Sequence, residues 1–84
     1  MIYYGRMSFT NQKFYAIAKV YGYEIETRLH DHISSAVDEA FEKITSLLKQ
    51  EGIKGKKINA VIEVFAKDEK VSNLIESIKT RISI

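Results

Sequence analysis

The segment Gly52-Ile53-Lys54-Gly55-Lys56-Lys57 gathers three lysines and two glycines in six residues, with no acid among them. Glycines let successive backbone N–H groups turn toward one point, and the ammonium groups add fixed positive charge. That combination suits an anion such as a nucleic-acid phosphate backbone. The same composition also describes a helix end followed by a solvated turn, because lysines are favourable near helix C-termini in any case. Tyr15, Lys19 and Tyr21, with Phe65, form a second group of interest. Aromatic faces with an embedded cation are what sheet-based single-strand binders use, although tyrosine is equally at home in a protein interface. The third group is His30-Asp31-His32. It supplies three metal ligands at most, without a distant cysteine or histidine to complete a site, and Asp31 also reads as a helix N-cap between two histidines.

Gly52-Ile53-Lys54-Gly55 resembles the GxxG loop of the KH RNA-binding domain, which clamps a nucleic-acid backbone, and Ile58 falls where that family has its next apolar residue. In that family the loop joins two helices. Here Ile58 to Ala66 alternates like a strand, so the chain is not assigned to the family.

The elements that position these residues follow from periodicity. Phe14, Ala16, Ala18 and Val20 alternate with Tyr15, Ile17, Lys19 and Tyr21, as a strand requires. Ile2 to Phe9 reads as an earlier aromatic-rich strand, and Tyr23 to Leu29 as a further one after a tight turn at Tyr21-Gly22. From Asp31 to Glu51, Ile33, Ala36, Val37, Ala40, Phe41, Ile44, Leu47 and Leu48 recur at three- and four-residue spacing, which predicts an amphipathic helix stopped by Gly52. Lys57 to Ala66 alternates again. Asp68 reads as the cap of a final helix with Val71, Leu74, Ile75, Ile78 and Ile82 on its apolar side.

The expected architecture is therefore α+β: a two-layer sandwich over residues 1–84. A mixed four-stranded sheet, in the order strand, strand, an optional third strand, helix, strand, helix, carries both helices on one face. The helix-free face would expose Tyr15, Ile17, Lys19 and Tyr21 beside Asn59, Val61, Glu63 and Phe65, too much apolar surface to leave in water. A second copy, another protein, stacked bases or the N-terminal segment would cover it.

Composition narrows the function classes. Eighty-four residues make one domain, and 45% hydrophobic with 29% charged residues is globular composition. No cysteine is present, so there is no disulfide framework and no thiolate zinc site. No signal-peptide pattern or long apolar run is evident, which makes a cytoplasmic protein the expectation. Net charge is +2, but Lys54, Lys56, Lys57, Lys67, Lys70, Lys79 and Arg81 concentrate in residues 52–84, while residues 31–51 are acidic. Lysine outnumbers arginine ten to three and isoleucine outnumbers leucine twelve to four, a bias that fits an AT-rich coding sequence such as a phage or mobile element carries.

The first functional reading is a small non-catalytic accessory protein that binds RNA or single strands. It would use Lys54, Lys56, Lys57, Lys70, Arg81, Lys19, Tyr15 and Tyr21, with no cofactor and no metal. The alternative is a dimeric protein-interaction module or an inhibitor of a host or defence protein. It would use Tyr15, Ile17, Tyr21, Val61 and Phe65 as its interface, together with the acidic helix face at Asp38, Glu39 and Glu42. A minimal metal-free ribonuclease built on the two histidines is the third reading. No nucleophile, base and orienting group stand out as a set, so an enzyme is not expected. A homodimer is expected because a small cysteine-free domain gains stability from association.

Overall fold

The computed structural model describes residues 12–20, 22–53, 57–68 and 71–83. Strand β1 spans Lys13–Val20, β2 Tyr23–Glu26, helix α1 Ile33–Gln50, β3 Lys57–Lys67 and β4 Ser72–Ser83. The four strands form one sheet in the order β2-β1-β3-β4, and every neighbouring pair is antiparallel. The fold is α+β, with one helix among the described residues rather than the two expected. The expected strand over Ile2 to Phe9 lies outside the described residues.

Two expectations are corrected. The sheet is antiparallel, not mixed. Strands β2 and β3, joined through α1, do run the same way, but β1 lies between them and so no parallel neighbours arise. The segment after Asp68 is a strand, not a helix. Ile78, Thr80 and Ile82 point inward at a period of two and pair with Ile62, Ala60 and Ile58. Isoleucine, threonine, serine and asparagine dominate the segment, and β-branched side chains favour a pleated surface over a helix. Asp68 does bind a backbone N–H three residues on: its Oδ1 accepts from Val71 N at 3.2 Å, and Asp68 N donates to Val71 O at 3.1 Å. That Asx-type bracket starts a helix or closes a hairpin equally well. Here it closes the β3–β4 hairpin.

The turns and helix ends follow from particular residues. Gly22, at φ 84°, links β1 to β2 in a conformation that L side chains adopt reluctantly. Gly52, at φ 82°, ends α1 in a Schellman motif: Gly52 N donates to Lys49 O and Ile53 N to Leu48 O, both at 3.0 Å. Ile53 folds back onto the core that Leu48 enters. The N-terminal end differs from expectation. His32, not Asp31, is the cap residue, and no side chain caps the helix; Asp31 instead pairs with the Lys13 ammonium.

The core is the single layer between α1 and the sheet. Ala36, Ala40, Ile44 and Leu48 of the helix meet Ala16, Ala18 and Val20 of β1, Ile58, Ala60, Ile62 and Val64 of β3, and Ile82 of β4. The alanines let helix and sheet backbones approach closely while isoleucine and leucine fill the gaps between them. Because α1 packs on β1, β2 and β3, the first half of β4, from Ser72 to Ser77, is exposed along its length.

One irregularity shapes the layer. β1 pairs Ile17 with Glu26, yet Phe14 bridges to His30, which leaves one extra residue on the second strand. Thr27 fills the gap: its Oγ1 accepts from Ala16 N and donates to Arg28 O, both at 2.9 Å. This bend carries Arg28 and His30 toward the helix. There Glu39 Oε1 accepts from His30 Nε2 at 2.5 Å and from Arg28 N at 3.2 Å, while Lys43 Nζ lies 2.9 Å from Oε2. Glu39, expected on the solvated helix face, is thus only 8% exposed. The Lys43 and His30 hydrogen bonds hold its carboxyl at about 2, below the usual carboxylate range.

Candidate functional site

Alternation sends the odd-numbered residues of β1 and β3 to the face opposite α1, helix-free in the sense that no described helix covers it. Tyr15, Ile17 and Lys19 lie beside Phe65, Glu63 and Val61 in the antiparallel register, and Asn59 and Lys57 continue β3. From β4, Arg81 stands opposite Asn59, Lys79 opposite Val61, Ser77 opposite Glu63 and Leu74 opposite Phe65. Glu24 and Glu26 of β2 complete the face beside Lys19 and Ile17.

This face is graded along the strands. At one end Tyr15 and Phe65 stack with ring centroids 5.1 Å apart and planes 10° from parallel, and Leu74, 53% exposed, lies beside them. Each ring spends one of its faces on the other, so the pair offers less open π-surface than two free platforms. In the middle, the Lys19 ammonium lies 3.0 Å from Glu63 Oε1 and 3.8 Å from Glu24 Oε2. The Glu63 hydrogen bond, then its charge, raise the lysine pKa above the ordinary value. Lys19 is therefore a neutralised cation.

Lys79 stands level with Lys19 across Val61, and Arg81 and Lys57 follow toward the other end; all three are exposed and without an ion pair among the described residues. An open depression of about 500 Å³ beside them is lined by Asn59, Val61, Lys79 and Arg81. A larger hollow of about 810 Å³ lies between α1 and β2, lined by Ile25, Phe41, Thr45 and Leu47 among others. Its one cation, Lys43, is held by Glu39. The cation strip, not the larger hollow, has the charge to hold an anion.

The expected site residues divide accordingly. Lys57, Arg81, Lys19 and Tyr15 come together on one sheet face, and so do the expected interface residues Ile17, Val61 and Phe65, each half-buried there. Arg81 reaches this face from a strand rather than from the helix expected of it. Lys54, Lys56, Lys70 and Tyr21 lie outside the described residues. Asn59, expected on this face, and Lys79, not expected among the site residues, complete the strip. The signal for Lys79 was present, since it lies two positions before Arg81, with only Thr80 between, and a strand puts both on one side.

His30 is engaged with Glu39, whereas His32 is exposed. Among the described residues no three histidine, aspartate or glutamate side chains converge as a metal site, and no helix is long and apolar enough to cross a membrane. Comparison with known proteins finds no matching family model, no matching curated protein and no matching solved structure.

Proposed function

We propose that this chain is a small non-catalytic binding domain for RNA or another single-stranded nucleic acid, engaged by the helix-free sheet face. The observation that carries the reading is the register that sets Lys79 and Arg81 of β4 beside Lys57, Asn59 and Val61 of β3, with no described acid paired to the three cations. Unpaired surface cations release counterions when they meet phosphates, which is the main source of sequence-independent affinity. Lys54 and Lys56 lie within three residues of Lys57 in sequence. The outer ring surfaces of Tyr15 and Phe65, with Leu74, offer a base somewhere to lie farther along the same face.

The test is amide chemical-shift mapping with a short single-stranded oligonucleotide. The reading expects shifts concentrated at Lys57, Asn59, Val61, Lys79 and Arg81. Shifts confined to α1, or none at low salt, would overturn it.

A second reading, a protein-binding module on the same face, draws on the stacked Tyr15–Phe65 pair and on the acids Glu24, Glu26 and Glu63 interspersed with its apolar residues. Aromatic residues are enriched at the core of protein interfaces, and charged side chains belong to the rim. Binding to this face would then depend weakly on salt, unlike binding to phosphates.

A further inference from the structure

We propose that the outer edge of β4 is a self-association edge, which pairs antiparallel with β4 of a second copy so that two four-stranded sheets become one. The two edges of the sheet are unequal. β2 is four residues long and carries exposed Glu24 and Glu26, whereas β4 is twelve residues long. Among the described residues no strand pairs with the outer side of β4. Natural sheets protect their edges by shortness, proline, charge or a covering element, because unpaired N–H and C=O groups are a template for another strand. β2 has the first and third of these devices. β4 does carry charges at Glu76, Lys79 and Arg81 and one bulge, but it is three times as long as β2, has no proline, its first half lies beyond the helix, and Leu74 and Ile75 are 53% and 46% exposed on it. Its one register shift falls where Glu76 and Leu74 meet Val64 and Phe65, which leaves Ile75 as the extra residue and Glu76 to Ser83 regular.

The side chains of this stretch favour a second copy as the occupant. Two antiparallel strands related by a two-fold axis must centre on one residue for facing side chains to share a face. Centring on Glu76, Lys79 or Arg81 sets a charge against itself, and centring on Thr80 sets Lys79 against Arg81; like charges directly opposite are destabilising. Centring on Ser77 runs the pairing into the bulge. Centring on Ile78 sets isoleucine against isoleucine, Ser77 against Lys79 and Glu76 against Thr80, which gives five regular residues from Glu76 to Thr80 before the bulge is reached, against three for Ser77. The paired sheets then present their helix-free faces on the same side. This pairing stands apart from the nucleic-acid reading and is measured without nucleic acid.

Sedimentation equilibrium of the full chain, from micromolar to millimolar concentration, tests the pairing directly. The chain mass is 9.7 kDa, and the expected result is twice that mass. A monomer throughout overturns the proposal. The double variant Ser77→Cys with Lys79→Cys tests the register, since the parent chain has no cysteine. Mild oxidation should convert it to a covalent dimer, whereas Ser46→Cys, on the exposed side of α1, should cross-link far less. Equal cross-linking of the two, or a dimeric wild type whose double variant stays uncross-linked, would place the contact elsewhere and also overturn the proposal.

Discussion

The Lys19 ammonium sits 3.0 Å from Glu63 Oε1 across the β1–β3 pair, so the cation nearest the centre of the open face is already neutralised. Lys79, opposite Val61 on the other side of β3, has no such partner among the described residues. Two lysines on one sheet face are therefore unequal toward an outside anion. Removing Lys79 with Arg81 should be felt by a polyanion far more than removing Lys19. The variant Lys79→Glu/Arg81→Glu is expected to weaken single-stranded RNA binding by about tenfold or more and to lower the salt slope by about 1.4, roughly 0.7 for each phosphate no longer engaged. Lys19→Gln should change affinity less than threefold. Fluorescence titrations of the two variants check the contrast.

Glu39 joins the bent segment 27–30 to the helix through His30, Arg28 and Lys43. Glu39→Gln keeps the shape but removes the charge these donors meet, and should cost about 1–3 kcal/mol of folding stability, read by urea denaturation. The sign of the pH dependence follows from the carboxyl being held at about 2 against an ordinary value of 4.5. A lowered folded-state pKa means the unfolded chain binds more protons in that range, so the stabilisation is complete above about pH 4.5 and is lost as pH falls toward 2. Asp31, lowered by its Lys13 hydrogen bond, acts in the same direction more weakly because it is exposed to solvent. Wild type should therefore lose stability steeply with acid, and Glu39→Gln should show a flatter profile.

Gly52 holds φ 82° at the end of α1, with open space around its Cα. A Cβ added at Gly52 meets no neighbouring atom, so Gly52→Val should lose chiefly the backbone cost of a β-branched residue in the left-handed region, about 1–2 kcal/mol. Thermal melts should show that loss, while Gly52→Asn, which tolerates this conformation better, should lose less.

Tyr15 and Phe65 contribute to stability through ring contact as well as burial. A double-mutant cycle with Tyr15→Ala and Phe65→Ala should return a coupling of about 0.5–1.5 kcal/mol. A coupling near zero would mean that the stacked geometry is not maintained in solution.

Much of this architecture is legible in the sequence because one local signal suffices. The clean alternation of Lys13 to Val20 and of Lys57 to Ala66, and the heptad-like spacing from Ile33 to Leu48, each match one period only. β4 is different. Val71, Leu74, Ile75, Ile78 and Ile82 fit a helical stripe, while Ile78, Thr80 and Ile82 fit a strand, and the bulge at Ile75 breaks the period of two where it would have decided. The open edge of β3, whose N–H and C=O groups need a partner, settles the matter, and that is a tertiary constraint. The same error hid the strip. As a helix, the last segment scatters Lys79 and Arg81; as a strand, it aligns them beside Asn59 and Val61. The burial of Glu39 was not legible, because it depends on the Thr27 bend that carries His30 and Arg28 to it.

The most direct test of the central claim is fluorescence anisotropy of a labelled single-stranded RNA titrated with the wild-type chain at several salt concentrations. The account predicts saturable binding whose log affinity falls linearly with log salt, at a slope of roughly two to four for a strip of three to five cations. Absence of binding at low salt, or an affinity insensitive to salt, would contradict it and leave the helix-free face to a protein partner.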